Sequence, residues 1–123
     1  MSINQVRVLG SKPRLNFFPQ YEELLSSKTK SATARLGDVS QRFQIGQRVE
    51  LTVGWDRGSA KAVADGVIRD LLVKKLKDVT DHDLEGESPD CSNRNAMKFV
   101  LSSIYRTVVT DNDYVSIIKW RYE

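Results

Sequence analysis

Hydroxyls, cations and small residues crowd one stretch of this 123-residue chain, Ser27-Lys28-Thr29-Lys30-Ser31-Ala32-Thr33-Ala34-Arg35-Leu36-Gly37-Asp38. Three cations, two threonines and two serines fall within twelve residues. Ala32 and Ala34 are small, so a ligand can approach the backbone on either side of Thr33. From Ser31 to Arg35 the side chains alternate. As a strand, the segment puts Ser31, Thr33 and Arg35 on one face. Two hydroxyls and a guanidinium on one face suit an anion or a nucleotide; the same pattern also fits an ordinary solvated strand.

The rest of the sequence narrows the chemistry. No GxSxG elbow, Walker loop, HExxH or Rossmann glycine fingerprint is present. A single cysteine, Cys91, forms no intrachain disulfide, and with one histidine, His82, it makes no Cys/His zinc set. With that His nine positions away and no third partner visible, Cys91 reads as an incidental residue rather than a nucleophile. Asp81, Asp83, Glu85 and Gly86 imitate the opening of a calcium loop. Ser92 stands where the bidentate Glu belongs and Pro89 interrupts, so that reading fails. No metal and no cofactor is expected.

Elements must position these groups. Leu15 to Phe18 reads as a first core strand, ended by Pro19. Tyr21, Leu24 and Leu25 follow at helical spacing with Glu22 and Glu23 in the first turn, which predicts about two turns of helix delivering the chain to Lys28. Val49, Leu51 and Val53 alternate with Arg48, Glu50 and Thr52 in a half-buried strand. Trp55 to Ser59 then reads as a hairpin loop in which Gly58 can supply a positive φ. The return strand runs from Ala60 to about Ile68, with Ala62, Ala64 and Gly66 marking a close backbone approach or a cavity floor. Thr80 and Asp83 predict a helix N-terminus. Ser92 or Asn93 caps a longer helix whose core stripe is Ala96, Met97, Val100, Leu101, Ile104 and Val108. Tyr114 to Tyr122 is apolar on both faces, as a central strand is.

The length suits one α+β domain. With 40% hydrophobic and 28% charged residues the composition is that of a soluble globular chain. Apolar runs are too short to span a membrane, and no hydrophobic leader opens the chain, so a cytoplasmic location is expected. Residues 1–77 carry 14 Lys and Arg against 7 Asp and Glu, while residues 78–123 carry 5 against 9. A basic half of this size suits a polyanion such as RNA.

The order of helix, Lys30-x-x-Thr33-x-Arg35 strand and Phe43-x-x-Gly46 before another strand resembles the ASCH domain of the PUA-like superfamily. Asp78 to Glu87 resembles its acidic turn and Tyr114 to Tyr122 its closing strand. The resemblance spans about Leu15 to Tyr122. It implies a PUA-like β-barrel with helices closing its ends over residues 15–123; residues 1–14 read as an extension before it, in which Gln5 to Leu9 reads as a short strand.

It also implies two functions. One is an RNA- or nucleotide-binding module, with Lys28, Ser31 and Arg35 contacting the ligand. The other is that of the small bacterial amidohydrolases that deacetylate N(4)-acetylcytidine without metal. Their Lys, Thr and Glu map onto Lys30, Thr33 and Glu87: base, nucleophile and proton donor to the leaving nitrogen. A register using Lys28 and Thr29 is the alternative, although the spacing to Arg35 favours Lys30. Lys30 must then sit in the turn before the strand, because within a regular strand it would face away from Thr33. Ribonuclease activity ranks third, since one His makes no His pair.

Overall fold

The structure is a computed structural model and describes residues 12–56 and 58–123. The strand expected at Gln5 to Leu9 lies outside them, as does most of the extension at 1–14. Five strands, β1 (Arg14–Phe17), β2 (Ala32–Leu36), β3 (Arg48–Val53), β4 (Lys61–Lys75) and β5 (Tyr114–Tyr122), form one sheet in the order β1-β3-β4-β5-β2. Only β1 with β3 is parallel; the other pairings are antiparallel. Helix α1 (Glu22–Ser26) follows β1, and α2 (Arg94–Tyr105) precedes β5.

β4 is the spine of the sheet. Its first part pairs with β3 up to Val67, and its length from Gly66 onward pairs with β5. A bulge between Ile68 and Asp70 shifts the register, which adds local twist and curls the sheet into a half-barrel. The expected strand end near Ile68 is therefore too early. The bulge at Arg69 reverses the alternation, so Leu71 to Val73 look detached in sequence although they continue the same strand. Leu51, Ala64, Ile117 and Thr33 lie on neighbouring strands, as a barrel requires. Gly66 lies beneath Trp120, where a Cβ would stand 3.0 Å from the indole and 3.1 Å from the carbonyl of Arg121.

β5 is central, and its two apolar faces serve two cores. Ile118 and Trp120 join Leu15, Leu25, Val49 and Leu51 on one side; Val115 and Ile117 join Leu76, Met97, Leu101 and Val109 on the other. Removing this apolar surface from water is what holds the helices to the sheet, at about 1.5–3 kcal/mol for each large side chain fully buried.

Two local expectations change. The helix predicted at Thr80 is a single 3-10 turn, His82–Leu84. The reciprocal capping bonds do form, from Thr80 N to Asp83 Oδ2 at 2.9 Å and from Asp83 N to Thr80 Oγ1 at 3.1 Å. Gly86, at φ +92°, turns the chain before a helix can grow. In α2, Asn93 is the cap and accepts from Ala96 N at 2.8 Å. That helix ends where Arg106 turns left-handed, which throws Val108 into solvent at 83% exposure and buries Val109 in its place. Positive φ values are found at Gly37, Gly46 and Gly86.

Candidate functional site

The chain leaves α1 by wrapping tightly. The amides of Thr29 and Lys30 both donate to the carbonyl of Leu24, at 2.9 and 3.1 Å, and Lys28 takes a left-handed φ of 60°. β2 begins only at Ala32, so Lys30 sits in the turn before it, as a shared site with Thr33 requires. The Tyr122 hydroxyl donates to the Lys30 carbonyl and fixes the turn against β5.

The opposite wall is brought in by Gly86. Its carbonyl accepts from Ser31 N at 2.8 Å and Ala32 N at 3.1 Å, and its Cα faces Ser31 so closely that a Cβ would lie 2.5 Å from the hydroxyl. Glu87 is thereby delivered to the start of β2. Its Oε2 accepts from Ala34 N at 2.8 Å; its Oε1 accepts from Ser88 N at 2.7 Å and Ser88 Oγ at 3.0 Å. The same Oε1 receives the ammonium of Lys30. The two side chains are only 3% and 4% exposed, so this is a buried ion pair. The ammonium also lies 5.6 Å from the Phe17 ring centre and 5.3 Å from that of Tyr21, within cation–π range.

Thr33 and Arg35 share a face, as the alternation predicts: Arg35 Nε donates to Thr33 Oγ1 at 3.2 Å. The guanidinium also donates from Nη2 to the Asn16 carbonyl at 3.0 Å and covers the Phe17 ring at 4.9 Å. Arg35 thus links β2 to β1, the two edge strands of the sheet. Lys30 donates to Glu87 and to Ser88 Oγ, at 3.3 Å for the latter; among the described residues no hydrogen bond joins it to Thr33.

Lys30, Thr33, Arg35 and Glu87 line one cleft, which encloses about 530 Å³ counting its open mouth. Lys28 and Ser31 do not line it: Lys28 is exposed and the Ser31 hydroxyl faces Gly86. Three residues without an assigned role in the sequence reading belong to the site. Ser88 Oγ lies 2.8 Å from Asp90 Oδ1, and Tyr21 donates to Asp90 Oδ2 at 2.8 Å. Burial, reinforced by the Asp90 and Glu87 charges, pushes the Tyr21 phenol far above its ordinary range and keeps it a neutral donor. Tyr21 carries helical spacing in the sequence and so reads as core. Ser88 and Asp90 flank a proline with no signal of their own. Cys91 lines the cleft too, but burial and the Glu87 charge push its thiol up, away from the reactive thiolate. No group of three or more His, Cys, Asp or Glu among the described residues is placed to hold a metal ion. No helix among them is long and apolar enough to cross a membrane.

No family model matches the sequence, and no curated protein matches it. Solved structures do share its fold. Protein EF3133 from Enterococcus faecalis V583, of family model DUF984, aligns over 98% of this chain and 90% of its own at TM-score 0.61 and 14% identity. An ASCH domain from Lactobacillus crispatus JV V101 aligns over 89% and 79%, at TM-score 0.59 and 11% identity. A mutant of the ZmASCH protein from Zymomonas mobilis aligns over 88% and 67%, at TM-score 0.51 and 11% identity. The fold is that of ASCH-domain proteins, an α+β half-barrel, and the resemblance seen in the sequence holds at that level.

Proposed function

We propose that the cleft is the active site of a metal-independent amidohydrolase acting on an N-acylated pyrimidine nucleoside of the N(4)-acetylcytidine type. The observation that carries this reading is the buried Lys30–Glu87 pair beside Thr33. Burying two charges costs more in desolvation than their attraction ordinarily returns, so such a pair is a poor stability device. A phosphate contact calls for a lysine that reaches solvent, and Lys30 does not.

The pair holds the protons that amide cleavage needs. Transfer of one proton from Lys30 to Glu87 leaves a neutral amine and a neutral acid. As Thr33 Oγ1 attacks the acyl carbon, the amine takes its proton. The acid protonates the leaving ring-bound nitrogen, and the C–N bond breaks. The acyl group then rests as an ester on Thr33, and the ion pair is restored. In the second half Glu87 takes a proton from the attacking water. Lys30 returns one to the Thr33 oxygen as the acid product departs. Transfer from Glu87 back to Lys30 closes the cycle. The Arg35 hydrogen bond stabilises the Thr33 oxygen while it carries negative charge. This scheme requires Lys30 Nζ to come within hydrogen-bond reach of Thr33 Oγ1.

Purified protein should release acetate from N(4)-acetylcytidine in the presence of a chelator. Absence of turnover across a panel of acylated cytidines would end this reading. An RNA- or nucleotide-binding module then becomes the answer, supported by the exposed Lys28 and the basic first half of the sequence.

A further inference from the structure

Beyond the cleft lies a wide open groove lined by Trp55, Phe99 and Ala96, with Gln20, Asp90 and Ser103 as its polar groups. It adjoins the cleft, for Phe18, Tyr21, Val100 and Ile104 line both. Trp55 is 70% and Phe99 74% exposed, unusual for rings of this size. The Trp55 ring packs at a tilt against Phe18 at 5.2 Å between centres, so an aromatic surface borders the cleft wall that Phe18 forms. The backbone ahead of it is held: Gly54 N donates to the Phe17 carbonyl at 2.9 Å, and Asn16 Nδ2 donates to the Gly54 carbonyl at 3.1 Å.

The charges choose between occupants. Lys30 and Arg35 are matched by Glu87 and Asp90, so the described residues lining cleft and groove together carry no net charge. Among the described residues lining the groove, the one that is charged is Asp90, an acid. A phosphate entering here meets the Asp90 carboxylate and, among the described lining residues, no cation. A neutral flat ring meets aromatic faces and hydrogen-bonding edges, and a base stacks on an aromatic ring whatever its sequence because every base has a π-face.

We propose that the groove is a stacking subsite for the uncharged flat ring of the ligand whose amide enters the cleft, and that it selects unphosphorylated nucleosides against nucleotides and RNA. This rests on the reading of the cleft given above and names the ligand class it admits.

The chain has two tryptophans, Trp55 exposed and Trp120 buried, so emission from Trp55 reports the groove directly. N(4)-acetylcytidine and cytidine, titrated separately, should each quench the wild-type protein and leave Trp55→Ala without response. N(4)-acetylcytidine 5′-monophosphate should bind at least tenfold more weakly than the nucleoside. Phe99→Ser should raise KM several-fold at unchanged kcat, with its melting curve confirming the fold. Equal or tighter binding of the monophosphate overturns the selection. Hydrolysis with no Trp55 response, and with KM unaltered in Trp55→Ala, removes the subsite while leaving the amidohydrolase in place. Quenching without hydrolysis supports the subsite and removes the amidohydrolase. No response and no turnover with any probe overturns both.

Discussion

Removing Lys30 alone strands the Glu87 carboxylate in a site almost closed to water, whereas removing both charges leaves nothing to neutralise. Lys30→Met should therefore destabilise by about 3–5 kcal/mol. Lys30→Met combined with Glu87→Gln should recover part of that loss, because no charge is left buried, although the amide oxygen can replace only one of the two carboxylate oxygens that accept from Ala34 N and Ser88 N. Both proteins should be inactive, and denaturant unfolding beside a turnover assay reads the two effects apart. A single variant as stable as the wild type would show that the pair is open to solvent. Thr33→Ala, which deletes the proposed nucleophile, should abolish acetate release. Lys30→Arg should not restore activity, since a guanidinium does not give up its proton to act as base. Turnover that survives Thr33→Ala would exclude the acyl-enzyme route.

The turn at Gly86 acts on the site only through its geometry. Gly37 and Gly86 have nearly the same positive φ, +90° and +92°, but a Cβ at Gly37 meets nothing within 4 Å while one at Gly86 meets Ser31. Each Gly→Ala should cost about 1–2 kcal/mol for the left-handed backbone. Gly86→Ala should additionally lower kcat, by shifting Glu87 relative to Lys30; equal kcat in the two variants would show that the turn does not set the site. The stretch just before it is held by Asp83. Burial works against that carboxylate's ionisation, but hydrogen bonds from Lys74 at 2.7 Å and from Thr80 N outweigh it and hold its pKa below the usual range. A carboxylate with a depressed folded pKa contributes stability above its unfolded pKa, and that contribution is lost as pH falls through the folded value. Asp83→Asn should therefore be less stable than wild type at neutral pH, with the gap closing under acid. A gap independent of pH would assign the effect to packing.

At the scale of the whole molecule, Arg35 clasps the two edge strands of a sheet that curls without closing. Arg35→Met should increase amide hydrogen exchange in β1 and β2 first, with β4 and β5 still protected; uniform loss of protection would mean that the clasp is not local. The sequence by itself determined the central strand, the helical period of α2 that buries Met97 and Leu101, and the alternation that puts Thr33 beside Arg35. These follow from side-chain periods of 2 and 3.6, which are local properties of the chain. It did not show that β4 runs on to Lys75, because one bulged residue reverses the alternation, nor that Val108 leaves the helix, because one left-handed residue ends the period. Lys30, Thr33 and Glu87 were nameable as candidates through the resemblance. Their juxtaposition was decided only by the tertiary structure, as was the recruitment of Tyr21, Ser88 and Asp90. Glu87 lies 57 residues from Lys30 in the chain. What joins them is the Gly86 carbonyl docked on the amides of Ser31 and Ala32, a contact between distant backbones that no local pattern records.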